Sequence, residues 1–282
     1  MMETGENKVK TDRAWNKLYT RLESEGLLRT ERRRFICSPL IFKWAGAAAA
    51  VTAVCICIAA IYFNEERPSV KESLLVKENR EISTLVTTLE DGSVVYLGTG
   101  TSLYYPEHFL PDKRKVALQG TALFDIAGNS GRPFLIETEE VLVEVLGTAF
   151  NVKSDAAVPF ELSVQRGKVK VCLKKSGQEA VVEAGRTVTL MDRGLLLSAN
   201  EDTGQFTRYL GKMRFKDELL GNVIRVINLH ASDIVLRTSP SLRERRLTVA
   251  FSDESPESVA ELIGLAMNLR CTREGNIITL SE

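Results

Sequence analysis

The sequence predicts a single-pass membrane protein in which an all-β domain, a sandwich or short solenoid, is followed by a small α+β domain of two βαβ-like units. Three observations predict it. An uncharged apolar run lies within residues 40–63, Gly-containing turns punctuate short strands from about Ile82 to Leu197, and the tail repeats itself at an offset of 36 residues. Composition narrows the classes. Lys+Arg and Asp+Glu are both 37 in 282 residues, so no net field draws the chain to nucleic acid. Two histidines, His108 and His230, are far apart in sequence and offer little for a metal site or a triad. The five cysteines form no CxxC pair.

Residues 1–38 contain "TDRAWNKLYTRLESEGLL", in which Trp15, Leu18, Tyr19 and Leu22 recur at helical spacing and Asp12 stands at the cap. One short amphipathic helix cannot bury that stripe within itself. The residues therefore read either as a helix lying on headgroups or as anchors for a groove on a partner, since Trp and Tyr are strong interface anchors. Residues 40–63, "LIFKWAGAAAAVTAVCICIAAIYF", leave about 20 uncharged residues after Lys43, enough for a hydrocarbon core of about 30 Å. Arg29, Arg32, Arg33, Arg34 and Lys43 precede or open the run, whereas Arg67 and Lys71 are the nearest positives after it. The positive-inside rule then puts the N-terminus in the cytoplasm and the bulk outside, which in a two-membrane envelope is the periplasm, held at the inner membrane.

A juxtamembrane linker over 64–81 leads into the all-β domain, 82–200. There "SVVYL", "VALQ", "FLIET" and "KVKVCL" read as strands between "EDGS", "GTGT", "GNSG", "QRG" and "DRG" turns. In "VQRGKVKVCLKK" the residues Val169, Val171 and Leu173 face inward, and Lys168, Lys170, Cys172 and Lys174 face out. In "VEVLGTAFNVKS" the apolar residues are odd-numbered up to Val145 and even-numbered from Phe150. One extra residue keeps both halves on one core, so Gly147 is expected to be a bulge in a conformation that glycine favours. Glu137, Glu139 and Glu140 read as a solvated strand edge rather than an acid/base pair.

In the tail, 201–282, "FKDELLGNVIRVINL" aligns with "FSDESPESVAELIGL". The alignment pairs Phe215 with Phe251, Asp217 with Asp253, Val223 with Val259 and Ile227 with Ile263. Each copy reads as a strand, a helix start and an amphipathic helix, with Ser255 at the cap and Pro256 at the first helical position. A strand follows in each, "SDIVLR" and "NIITL", so two helices are expected against one sheet.

Taken in order, "TLEDGSVVYLGTGTSLYY", "RKVALQGTALFDIA", "RPFLIET", "VEVLGTAFNV", "VQRGKVKV" and "EAGRTVTL" resemble the FecR-like transmembrane anti-sigma factors. The tail is similar to the secretin and TonB short N-terminal domain. The resemblance implies a signal transducer without cofactor, metal or catalytic residue. Its partners would be an extracytoplasmic-function sigma factor in the cytoplasm, an outer-membrane TonB-dependent receptor, and an intramembrane or periplasmic protease, with no direct contact to nucleic acid. Trp15, Leu18, Tyr19 and Leu22 are its sigma-factor-binding candidates. The chain departs from many family members in having only about 38 residues before the apolar run, with one clear helix. The alternative is a membrane-anchored periplasmic module that binds glycan or protein and has no sigma factor.

Overall fold

The computed structural model describes residues 74–155, 158–231 and 233–282. These residues contain three sheets, and strands dominate because the sequence alternates between apolar and polar positions across short Gly-closed hairpins. The first sheet runs in the order β1 (Leu74–Asn79), β4 (Thr101–Pro106), β5 (Arg114–Asp125), β6 (Phe134–Glu137), β7 (Val141–Val145), β10 (Lys168–Leu173) and β11 (Glu179–Glu183). The second contains β2 (Thr84–Thr88), β3 (Val94–Leu97), the far half of β5, β8 (Ala149–Ser154), β9 (Glu161–Arg166), β12 (Arg186–Met191) and β13 (Gly194–Ala199). Strand β5 belongs to both: Ala117 pairs with Tyr104 of β4, and Ala122 pairs with Val152 of β8. It turns at Gly120, whose φ is +107° and where a Cβ would sit 2.7 Å from the Thr101 hydroxyl. Val116, Phe134, Val143 and Val171 from one sheet meet Phe124, Phe150, Val152 and Leu162 from the other in one core. The architecture is a β-sandwich.

Gly147 behaves differently from the expectation. It is not a bulge inside one strand, because β7 lies in the first sheet and β8 in the second, and the chain crosses between them at Leu146–Thr148. Crossing over the core is what flips the apolar register, since both strands must face the same interior. Nor does Gly147 adopt a positive φ. Glycine is required there because a Cβ would come within 2.6 Å of the Gly128 Cα. The bulge of this region lies two residues on, where Ala149 pairs with Arg166 but Phe150 pairs with Val164.

The C-terminal part contains β14 (Lys212–Leu219), α1 (Leu220–His230), β15 (Val235–Thr238), α2 (Pro240–Arg243), β16 (Arg246–Ser252), α3 (Pro256–Met267), β17 (Arg270–Glu274) and β18 (Ile277–Ser281). The internal repeat has a backbone signature. Asp217 and Asp253 both sit in the left-handed region, at φ 52° and 55°, and the rings of Phe215 and Phe251 meet edge to face at 6.1 Å. Two βαβ-like units against one sheet are nevertheless not what forms. In each copy the strand before the helix and the strand after it join different sheets: β14 and β16 pair with each other, whereas β15 and β17 flank β18 in a separate three-stranded sheet. Each amphipathic helix packs against strands of both sheets, so it lies between two layers.

The single-pass class also needs correction. Among the described residues no helix is long and apolar enough to cross a membrane, and the run at 40–63 on which that class rested lies outside them. What the described chain builds instead is a strand-dominated body in which every helix of at least eight residues is amphipathic and packed on sheet.

Candidate functional site

The feature that most distinguishes the described chain is the junction between sandwich and C-terminal lobe. Strand β14 adds to the second sheet as a parallel neighbour of β2, with Met213 opposite Thr84 and Phe215 opposite Val86. Strands β2 and β3 are consequently buried on both faces. Leu85, Val95 and Leu97 point into the sandwich, and Val86, Val94 and Tyr96 point into a second core with Phe215, Val223 and Ile227.

Polar groups lock this face. Arg225 Nη1 donates to the Gly92 carbonyl at 2.6 Å, and Arg214 reaches Glu81 at 3.1 Å. Glu218, buried and placed where the β14–β16 register shifts between Phe215 and Glu218, accepts from Asn222 Nδ2 at 2.7 Å and from the Thr88 amide at 3.4 Å. Further along, Tyr209 donates to Asn151 Oδ1 at 2.7 Å, and Asn151 Nδ2 donates to Gln205 Oε1 at 2.8 Å. Buried side-chain amides on a strand need such partners, and the turn at Thr203–Tyr209 supplies them. Tyr96 and His230 complete the seam with a 2.6 Å contact between hydroxyl and Nε2. Burial pushes the Tyr96 hydroxyl well above its ordinary range, so it stays the donor, and desolvation lowers the His230 pKa, with Asp125 opposing. Neutral His230 is then the acceptor.

Beneath this seam an ion pair holds the turn that Arg225 grips. Arg114, 1% exposed, donates from Nη1 to Asp91 Oδ2 at 2.6 Å and to the Ala127 carbonyl at 2.9 Å. Its Nε donates to the Arg132 carbonyl, and its guanidinium lies 5.3 Å from the centre of the Phe134 ring. Asp91 also accepts from the Ser93 amide and hydroxyl. The lobe carries a cavity of about 640 Å³ between α1, β15 and α2, lined by Gly221, Arg225, Leu229, Arg237 and Arg243.

Trp15, Leu18, Tyr19 and Leu22 lie outside the described residues. Glu137 sits between Lys115 and Lys174, both at 2.7 Å. Hydrogen bonds from Lys115 and then Lys174 lower its pKa to about 2, which keeps it ionised and unsuited to donate a proton at neutral pH. Lys168 and Lys170 project from β10 and pair with Glu183 and Glu179, a solvated ladder. Cys172 and Cys271 are free thiols, and no cluster of His, Cys, Asp or Glu among the described residues is arranged to hold a metal. The sequence reading missed the junction residues. Arg114 stood in "DKRKVAL" as one of several charges, and only its alternation with Val116 and Leu118, on the buried face, could have marked it.

The geometry defines a β-sandwich joined to an α/β lobe through strand addition. Residues 80–170 match the family model described as FecR protein. No curated protein matches the chain. Among solved structures, the chain is similar to a proposed anti-sigma factor from Parabacteroides distasonis ATCC 8503, in crystal structures at 2.50 and 1.65 Å. Identities are 27% and 26%, with 74% of this chain and 99% of the other covered and a TM-score of 0.45 in both cases.

Proposed function

We propose that the protein is a signal transducer of the FecR anti-sigma type. In this reading residues 74–282 work in the periplasm, where the C-terminal lobe meets an outer-membrane TonB-dependent receptor. The N-terminal segment holds an extracytoplasmic-function sigma factor through Trp15, Leu18, Tyr19 and Leu22, and a protease severs the two functions when the signal arrives. The observation that carries the reading is the FecR family match at 80–170, with a second lobe bonded to that stretch along β2. A partner that strains the lobe strains β2 and the Gly92 turn with it, because Arg225, Glu218 and the β14 ladder bond the lobe to them across that seam.

The test is binding by a peptide covering residues 1–38. It should retain a sigma factor of the extracytoplasmic-function class, and Trp15→Ala should weaken binding by about 2 kcal/mol, roughly 30-fold. Binding to anionic liposomes but to no sigma factor would overturn the proposal. A reporter active only outside the cytoplasm, fused after Ala199, tests the periplasmic placement by its activity.

A further inference from the structure

We propose that the protein forms a two-fold dimer through strand β13, pairing antiparallel with β13 of a second copy. This goes beyond the function proposed above and does not depend on it. The three sheets present six edges among the described residues, and five of them carry at least one charged residue or have both backbone groups of one residue capped by a side chain. Strands β11 and β17 carry a charge at each end, β1 carries Lys77 and Glu78 in its second half, and β16 opens on Arg246. On β15, Asn228 bonds both the amide and the carbonyl of Leu236, at 2.8 and 2.9 Å, so that edge is capped. Strand β13, "GLLLSA", has no charge, no proline and no bulge, and it pairs only with β12.

Its apolar side chains are open on both faces, with Leu196 54% and Leu197 39% exposed. Beside it the sandwich ends in a cavity of about 870 Å³ lined by Pro159, Leu173, Leu190, Met191 and Leu195. An uncharged edge of this kind is a template for another strand.

The backbone selects the register. Asn200 donates to the Gly185 carbonyl across the β12–β13 ladder, so even-numbered residues of β13 bond inward. Leu195 donates instead to the Gln178 side chain, which confirms that odd-numbered residues face the edge. Self-pairing must therefore set Leu195, Leu197 and Ala199 against the same three residues. Centring on Leu197 opposite Leu197 uses all of them, once the exposed Gln178 side chain yields the Leu195 amide.

The ends of the strand choose a second copy as the occupant. The same register brings Arg193, at the hairpin tip, to Glu201 of the other copy, and the two-fold repeats the contact. Among the described residues neither Arg193 nor Glu201 has an ion-pair partner within its own chain, although neighbouring Asp202 is held by Arg208. The dimer supplies each with the opposite charge.

The experiment uses the full chain in mild detergent, with its five cysteines replaced by alanine. Hydrogen-bonded antiparallel residues have Cα atoms about 5.5 Å apart, within disulfide reach. Leu197→Cys should form a disulfide-linked dimer on mild oxidation, whereas Ala199→Cys, whose two copies would be separated by four residues of strand, should not. Leu197→Pro removes an amide that faces only the edge, so circular dichroism should be retained while sedimentation gives half the wild-type mass. A wild-type chain that sediments as a monomer throughout the micromolar range overturns the proposal. So does a dimer that survives Leu197→Pro, or equal cross-linking through Ala199→Cys. Should Leu197→Pro unfold, Leu197→Lys, which sets two like charges on the axis, replaces it with the same expected loss of mass.

Discussion

Replacing Asp91 with alanine leaves the Arg114 guanidinium buried without its counter-charge. Arg114 is 1% exposed and the Asp91 side chain 8%, so water does not reach either group freely. The substitution removes the 2.6 Å charge-assisted bond and both acceptors used by Ser93. What remains to Arg114 is two backbone carbonyls and the face of Phe134, and its Nη2 already has no partner. Breaking one side of a buried pair costs about 3–5 kcal/mol, because the surviving charge stays desolvated. For a body of this size each kcal/mol lowers the melting temperature by about 2–4 °C, which gives a drop of roughly 6 to 20 °C. Calorimetry on the full chain measures it. The control is Asp91→Ala combined with Arg114→Met, which removes both charges and should recover at least about 1 kcal/mol relative to Asp91→Ala alone. A melting temperature unchanged by Asp91→Ala, or a double variant no better than the single, would refute the claim that this pair is a buried, mutually dependent unit.

At Gly147 the obstacle is Gly128, not backbone strain, so Gly147→Ala should already cost about 1–3 kcal/mol in a urea titration, and Gly147→Val little more. Glu137 titrates at about 2 because Lys115 and Lys174 bond its charged form. A lowered carboxyl pKa gives stability that is present above the unfolded value of about 4.3 and lost as pH falls through about 2; Lys174→Met should raise the Glu137 pKa, as followed by NMR. His230 has a lowered pKa, so its neutral form favours the fold: its contribution is complete above the unfolded pKa of about 6.5 and is lost as pH falls through the lower folded value. His230→Gln, which keeps an acceptor for Tyr96, should flatten that part of the pH–stability curve. Asp217→Val places a β-branched residue at φ 52° and should destabilise by about 1–3 kcal/mol, with Asp217→Asn nearly neutral by the same measurement.

Local chemistry along the chain determined much of what the described residues do. The alternation of Val169 and Val171 with Lys168 and Lys170 marked a strand with one buried face, because the period of two is a property of the backbone itself. Ser255 and Pro256 marked the start of α3, where Ser255 Oγ accepts from the Ser258 amide. The spacing of 36 residues between Asp217 and Asp253 predicted a repeated unit, whose two members do share a left-handed turn. Only the tertiary structure decided where these pieces meet. The Gly147 signal was real, but register alone cannot distinguish an extra residue within one strand from a crossing between two sheets. The amphipathic pattern of α1 and α3 placed them on sheet, yet the choice between one sheet and two depends on which strands pair across long separations. Continuous burial of "VVYL" reflects a second core behind the sheet, and Arg114 is inside because Asp91, 23 residues earlier, folds back to meet it. Those partners are set by long-range packing, so no local pattern in the chain could specify them.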